Sequence, residues 1–451
     1  MNLPLNILLR RCAIAIPLGA TLLLSSCQQT PPASQSPASP ATSTPTPTPL
    51  TTPTPLQPLL PTALTTPKPA ISSALQTFLA DTATSGAVDQ TQGVWIQTRE
   101  TLLANHQGTV PLSAASLTKV ATSLAALETL GANYRYQTNV GITGTIQNGV
   151  VQGDLVIEGG QNPFFVWEDA IALANLLQQQ GIRAVQGNLV IRGPFYMNFE
   201  SGQMAAEFLR QGLDASLWPP EALQQYQALP PNTPKPQLTL RGSVVLASGA
   251  SQSASQPIQW VAQQQSFPLS DLLKKMNRFS NNAMAEMIAT SIGGATVVQQ
   301  KAIAATGVTA TEIQLVNGSG LAVENRMSAR AACGLFLAIE RLLQPQGMGI
   351  ADIFNIVGND EGILDQRVLP QQAVVKSGTL NTVSALAGTL TTQKEGTVWF
   401  AILNNDGNVD TFRSLQEQFL ANLQGTLGKP PTISRSSATP TLSFHQLWKR
   451  L

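Results

Sequence analysis

The sequence predicts an α/β (α+β) protein in which an antiparallel sheet is flanked by helices, with a helical subdomain and an inserted mixed α/β domain. Three observations carry this. Apolar residues at Leu117, Val120, Ala121, Leu124, Leu127 and Leu130 repeat with a helical period and stop at Gly131. Short alternating segments crowd residues 136–246 around one helical run at 168–180. Residues 373–404 then read as a three-strand antiparallel meander, followed by an amphipathic helix with Phe412, Leu415, Phe419 and Leu423 on one face.

In chain order, Arg10 and Arg11 precede an apolar run over residues 12–24 that is too short to span a membrane permanently. Leu24-Ser25-Ser26-Cys27 closes it, so residues 1–27 read as an export signal. These four residues resemble the bacterial lipobox, which implies cleavage before Cys27, lipid modification of Cys27 and a membrane anchor. The alternative is an ordinary secretory signal with an incidental cysteine. Residues 28–68 are almost wholly Pro, Thr, Ser, Gln, Leu and Ala, with strict Thr-Pro alternation over 44–49. Such a segment buries too little apolar surface to offset its ordering entropy, and reads as a disordered spacer.

The remainder, about residues 70–428, is long enough for one large or two coupled domains. Residues 93–97 and 101–105 read as two strands joined by a polar turn and leading into the helix after Ser116. Segments 136–140, 144–146, 150–157, 188–191 and 238–246 read as strands, and prolines from Pro219 to Pro236 mark loops. Leu269, Leu272, Leu273 and Met276 give a helix, Ser280-Asn281-Asn282 a break, and Met284, Met287 and Ile288 a second helix. Residues 327–343 read as another helix. In the tail, residues 429–451, Phe444, Leu447, Trp448 and Leu451 fall at helical spacing, which suits a docked or frayed terminus or a membrane contact.

Composition excludes several functions. Twenty-six basic against 25 acidic residues leave a formal charge of +1 and no basic stripe, so nucleic acid is not an expected partner. Two distant histidines, His106 and His445, and no paired cysteines argue against a metal site, and no cofactor is expected. With Cys27 lipidated and Cys12 removed with the signal, Cys333 has no disulfide partner and reads as a small buried hydrophobe.

The same scarcity of histidine shapes the chemistry. A serine hydroxyl needs a neighbour to take its proton, and a lysine does this when burial lowers its pKa. Ser116 at the helix edge and Lys119 three residues on share one face, a nucleophile beside a base. A serine N-cap with a snorkelling lysine explains the same pair. Ser280-Asn281-Asn282 offers a hydroxyl and two amides in a helix–helix turn, where capping is the competing reading. Lys376-Ser377-Gly378-Thr379 places a cation, two hydroxyls and a position without a side chain on one strand. It suits either a carboxylate clamp or a protected edge strand.

The conjunction decides. Ser-x-x-Lys on a helix, Ser-x-Asn between helices and Lys-Ser/Thr-Gly on a strand, in that order, are the three signatures of penicillin-binding proteins and related β-lactamases. About residues 75–425 resemble the D-alanyl-D-alanine carboxypeptidase/endopeptidase family of low-molecular-mass (class C) penicillin-binding proteins. Leu130-Gly131-Ala132-Asn133-Tyr134-Arg135-Tyr136-Gln137-Thr138, Gly153-Asp154-Leu155, Gly159-Gly160-Gln161-Asn162-Pro163 and Asn317-Gly318-Ser319-Gly320-Leu321 also resemble segments of that family. Ser377 stands where the family has Thr, Asn317 where it has Asp and Gln161-Asn162 where it has Gly-Asp, so charges present in relatives are missing here. The insertion also looks short for the family.

The resemblance implies a serine DD-peptidase/β-lactamase-like fold with a discontinuous catalytic domain, 70–136 and 262–428, and an inserted domain, 137–261. It implies that Ser116 attacks the penultimate D-Ala carbonyl of a peptidoglycan stem peptide and that β-lactam antibiotics acylate the same serine. Lys119 would take the Ser116 proton, with Lys376 holding its pKa down. Ser280 would relay a proton to the leaving amine, and Asn282 would bind Lys119 or the substrate amide. The N–H groups of Ser116 and Thr379 would form the oxyanion hole, and Lys376, Ser377 and Thr379 would receive the terminal carboxylate beside Gly378. Two alternatives stay open. One is a β-lactamase, for which Glu312-Ile313-Gln314-Leu315-Val316-Asn317 is one residue out of register with the usual Glu-x-x-Leu-Asn loop. The other is a non-catalytic wall-binding lipoprotein.

Overall fold

A computed structural model describes residues 60–61, 68–247, 257–429 and 447–451. The proposed signal, Cys27, nearly all of the spacer, His445 and Phe444 lie outside the described residues.

The central sheet has six strands in the order Asn355–Ile356, Val374–Leu380, Val383–Thr392, Gly396–Asn404, Gln92–Gln97 and Leu102–His106. Every pairing is antiparallel. Its middle strands are buried along nearly their whole length rather than at alternate residues, because both faces are covered. Side chains still part by the two-residue period of a strand. Ile96, Leu386, Phe400 and Ile402 enter one core, and Trp95, Ala385, Ala387, Ala401 and Leu403 enter the other.

Two terminal helices cover the first face. Pro69–Thr84 starts on a proline, whose missing N–H has no intrahelical partner to lose, and buries Ile71, Leu75, Phe78 and Thr82. It lies against Val409–Leu427, with Phe78 stacked on Phe419 at 4.8 Å between ring centroids. The second face carries the helices Thr118–Leu130, Leu269–Arg278, Asn282–Ser291, Ala295–Thr306 and Ala329–Leu343, whose apolar residues form one continuous core. Cys333 is buried there with its thiol free.

Residues between the helices Thr118–Leu130 and Leu269–Arg278, joined by a strand of the tail, build a second, mixed six-stranded sheet. Its order is Val244–Leu246, Leu189–Arg192, Leu155–Glu158, Gln137–Ile142, Gln259–Gln265 and Trp448–Arg450. The first three strands run parallel and the rest antiparallel. Helices Trp167–Gln179 and Gly202–Leu213 bury Leu173, Leu177, Leu209 and Leu213 against it.

Several expectations need correction. The run at 150–157 is two strands, Val150–Val151 and Leu155–Glu158. It breaks where Gly153 approaches the Thr143 carbonyl so closely that a Cβ would sit 2.3 Å from the oxygen. The run at 238–246 likewise splits into Thr239–Leu240 and Val244–Leu246. The proline-marked loop contains a helix, Pro220–Gln227, again with proline in its first turn. Helix Ala295–Thr306 escapes notice because its buried residues, Val298, Ala302 and Thr306, are small and four apart. The tail is not helical where it is described: Trp448–Arg450 is a strand added to Gln259–Gln265, pairing Trp448 with Gln264 and Arg450 with Ala262. Trp448 meets Phe165 edge-on while Leu447 enters the catalytic-side core, so sheet pairing overrides the helical spacing.

Candidate active site

The Ser116 turn sits where the central sheet and the helical face meet. Ser113 leads into a short 3-10 turn, Ala115–Leu117, that feeds the helix Thr118–Leu130, so Ser116 lies just before the regular helix rather than inside it. Ala115 has φ 46°, a left-handed conformation that costs a residue with a Cβ about 1–3 kcal/mol and persists only where its surroundings hold it. The surroundings are tight. Gly320 approaches so closely that a Cβ there would stand 1.8 Å from the Ala115 carbonyl oxygen. On the other side Gly378 abuts the same turn, and a Cβ would lie 2.8 Å from Ala114 O and 2.9 Å from Ser116 N. The glycine of the third motif is required because strand and nucleophile turn share that space.

Lys119 is fully buried. Its Nζ reaches Ser116 Oγ at 2.9 Å, Asn282 Oδ1 at 2.7 Å and the Ser319 carbonyl at 2.7 Å. Burial lowers its pKa from 10.5 to about 7, and the Glu286 carboxylate opposes that shift. Lost hydration is thus the main cause, and the repulsion between Lys119 and Lys376, which acts on both amines, works in the same direction against charging the pair.

A neutral amine has two N–H groups and one lone pair. Asn282 Oδ1 and Ser319 O accept the two hydrogens, which leaves the lone pair for the Ser116 hydroxyl to donate into.

Ser280 joins the site through the turn between Leu269–Arg278 and Asn282–Ser291. It too is left-handed, with φ 51°, because Asn281 caps the following helix by accepting from Met284 N at 2.9 Å. Capping and site geometry are thus combined in one turn, with Asn281 as cap and Ser280 and Asn282 facing the lysines. Lys376 Nζ donates to Ser280 Oγ at 2.9 Å and to the Ser377 carbonyl at 2.5 Å. Burial first, and then Lys119, pushes Lys376 well below its ordinary pKa.

The strand Val374–Leu380 is not a protected edge. Its first residues pair with Asn355–Ile356, and its whole length pairs with Val383–Thr392. Val357 N donates to Ala373 O, so residues 373 and 375 aim their backbone groups toward the short strand. By the two-residue alternation, Ser377 and Thr379 aim theirs the same way, past the point where that strand ends. The Thr379 N–H thus faces an open edge beside the Ser116 turn. The Thr379 side chain is exposed, and its Oγ1 accepts from Arg413 Nη2 at 3.0 Å.

Two contributors went unread in the sequence. Glu286 accepts from Gly318 N at 3.1 Å and Ser319 N at 2.9 Å, which fixes the loop whose carbonyl binds Lys119. It stands one helical turn after Asn282, a spacing that signals a shared face. Arg413 carried no motif. Asn317, in place of an acid, accepts from Gly320 N at 3.0 Å and Asn325 Nδ2 at 2.8 Å and so shapes this loop without charge. Asn162 is buried and donates to Gln264 Oε1 at 3.1 Å, a role in holding the inserted sheet. Glu312 is buried against Arg330 and accepts from Ser328 Oγ at 2.8 Å, which commits it to structure. His106 ends a strand, 3.0 Å from Asp89. Among the described residues no cluster of side chains is arranged to hold a metal.

A serine–lysine pair, a second lysine on a strand and a hydroxyl between them, set between a helical face and an antiparallel sheet, define the active-serine DD-peptidase class. More narrowly, the chain belongs to the D-Ala-D-Ala carboxypeptidase 3 (S13) family, whose model matches residues 72–205 and 222–423. It is similar to a carboxypeptidase, DacB, of Mycolicibacterium smegmatis, 27% identical over 338 residues that cover 66% of this chain and 72% of the relative. Its fold is that of a predatory peptidoglycan endopeptidase from Bdellovibrio bacteriovorus, with TM-score 0.68 and 18% identity, covering 81% of this chain and 100% of the other. That endopeptidase is also known acylated by penicillin G. Penicillin-binding protein 4 of Haemophilus influenzae has the same fold, with TM-score 0.58 and 18% identity over 80% of this chain and 99% of the other.

Proposed function

We propose that this serine peptidase removes the terminal D-Ala from peptidoglycan stem peptides, and cleaves D-Ala cross-links, through an acyl-enzyme on Ser116. The observation that carries the reading is the three-point placement of Lys119 Nζ, with two acceptors taking its hydrogens and Ser116 Oγ at 2.9 Å facing its lone pair. Lys119 takes the Ser116 proton as Oγ attacks the penultimate D-Ala carbonyl. The N–H groups of Ser116 and Thr379 receive the oxyanion, each contributing about 3 kcal/mol to lowering the barrier. Ser280, held by Lys376, relays to the departing amine the proton that Lys119 took from Ser116, so that Ser280 keeps its hydroxyl and Lys119 is neutral again. Asn282 positions Lys119, and the hydroxyls of Ser377 and Thr379 receive the terminal carboxylate. Water then releases the acyl group by the reverse proton path.

The expected break at 261/262 falls inside the strand Gln259–Gln265, which pairs along its length with Gln137–Ile142, so the insertion runs over 137–265, completed by the tail strand, and residues 70–136 and 266–428 make the catalytic part. The Arg10–Cys27 segment supports export and lipid anchoring at Cys27, which would place the site on the cell-wall side of the membrane; among the described residues no helix is long and apolar enough to cross one. The test is intact-mass spectrometry after benzylpenicillin, alongside D-Ala release from a stem pentapeptide. One penicillin adduct on the native chain and none on Ser116→Ala supports the reading. An unmodified native chain, or an adduct that survives Ser116→Ala, refutes it.

A further inference from the structure

The clamp for the terminal carboxylate lacks a dependable positive charge. Lys376 is buried, shares its cavity with a second lysine, and has its Nζ turned to Ser280 Oγ and the Ser377 carbonyl. A group so placed serves proton transfer better than it serves as a fixed cation. Arg413 is the opposite case. It projects from the helix Val409–Leu427 to the open side of the strand, and its Nη2 donates to Thr379 Oγ1 at 3.0 Å. Among the described residues its ion-pair partner is Asp410, at 3.3 Å and largely exposed, so that pairing is weak and readily exchanged for a ligand carboxylate. Arg367 donates to the Arg413 backbone carbonyl and pairs with Glu417, so it holds the helix turn and does not compete for the clamp.

We propose that Arg413 receives the free terminal carboxylate of the substrate, together with the Ser377 and Thr379 hydroxyls, and thereby sets preference for stems that end in a free acid. The planar fork of a guanidinium matches a carboxylate with two parallel N–H groups. In the free enzyme one of those groups rests on Thr379 Oγ1. A carboxylate arriving at the open edge takes its place, and Thr379 turns its hydroxyl to donate. This inference rests on the acyl-enzyme reading above.

The test compares two peptides that differ only at the end, one terminating in D-Ala-D-Ala as the free acid and the other as its amide, with native chain, Arg413→Gln and Arg413→Lys. The expected result is a fall of about 10–100-fold in kcat/KM for Arg413→Gln on the acid, mostly in KM, and less than about threefold on the amide. Arg413→Lys recovers part of the loss, and the melting temperature stays within a few degrees because the side chain is partly exposed and lies outside the apolar cores. Equal losses on acid and amide, or no loss on either, overturn the proposal. If the native chain does not prefer the acid while benzylpenicillin still acylates Ser116, this inference fails and the acyl-enzyme reading stands. If no adduct forms and neither peptide is cleaved, both fall together.

Discussion

The pKa of Lys119 turns the geometry into a measurable pH profile. Only the neutral amine accepts the Ser116 proton, so acylation scales with the neutral fraction of Lys119. With the group lowered to about 7, that fraction is one half near neutrality. It falls tenfold for each further pH unit, or about 90-fold from pH 8 to pH 5. The assay is the second-order rate of Ser116 labelling by a fluorescent penicillin across that range. Glu286 raises the Lys119 pKa, so Glu286→Gln moves the acid limb to lower pH. Stability shifts with the same proton. Below about 7 both folded and unfolded chains hold it and the cost of the buried charge is complete; from there to the unfolded value of 10.5 only the unfolded chain does. Stability therefore rises with pH through that window, by about 2 kcal/mol between pH 7 and pH 9 from this one residue. Lys119→Met abolishes labelling and removes this share of the slope. A labelling rate that varies less than about threefold from pH 5 to pH 8 refutes Lys119 as the base with this pKa.

Three further outcomes follow from contacts elsewhere in the molecule. Gly378→Ala puts a Cβ within 2.8 Å of Ala114 O and 2.9 Å of Ser116 N, so strand and turn must separate. Because a displacement near 1 Å costs about 100-fold in rate, penicillin labelling is expected to slow about 10–100-fold, and labelling within twofold of native refutes the argument. Trp448→Ala empties a contact with Phe165 and loosens the tail strand, and should lower stability by about 3 kcal/mol in urea while Ser116 still labels completely. Cys333 is buried and its thiol is pushed well up, so a thiol reagent should leave it unmodified in the folded chain and label it once in denaturant.

How much was legible depends on what holds each element. The Ser116 helix and the helix after residue 408 carry their large apolar residues at a helical period, which locates them, and the meander shows as consecutive apolar runs between turns. The three motifs were legible for a different reason: chemistry restricts the residue types, and their order excludes coincidence. What stayed hidden is held by something a period does not record. The strand Gln259–Gln265 is mostly polar and exists because partners flank it on both sides. The tail strand is fixed by pairing with a segment far back in sequence. Arg413 joins the site through one hydrogen bond across 34 positions, and Glu286 acts through backbone N–H groups of a distant loop. Burial was foreseen as what lowers the Lys119 pKa, but the opposing carboxylate was not, since Glu286 comes from a helix far along the chain.

These features converge on a single physical problem. Two lysines without appreciable exposure, and two residues in left-handed backbone at Ala115 and Ser280, are all concentrated around one serine. Each strained residue costs about 1–3 kcal/mol, and a buried amine costs more until it loses its proton. The surrounding structure offsets this with the largest apolar core among the described residues, the sheet whose strands are buried on both faces, and the Glu286 contacts that fix the Gly318–Ser319 loop. The cost is what makes the chemistry available. A lysine left in water would keep its proton at neutral pH, and a relaxed turn would let Ser116 move off the Lys119 lone pair. A variant that relieves the strain, such as Ala115→Gly, is therefore expected to be no less stable than the native chain yet to acylate more slowly. Measured together, melting temperature and penicillin labelling separate these effects, and a variant that gained both would show that the strain serves no purpose in the site.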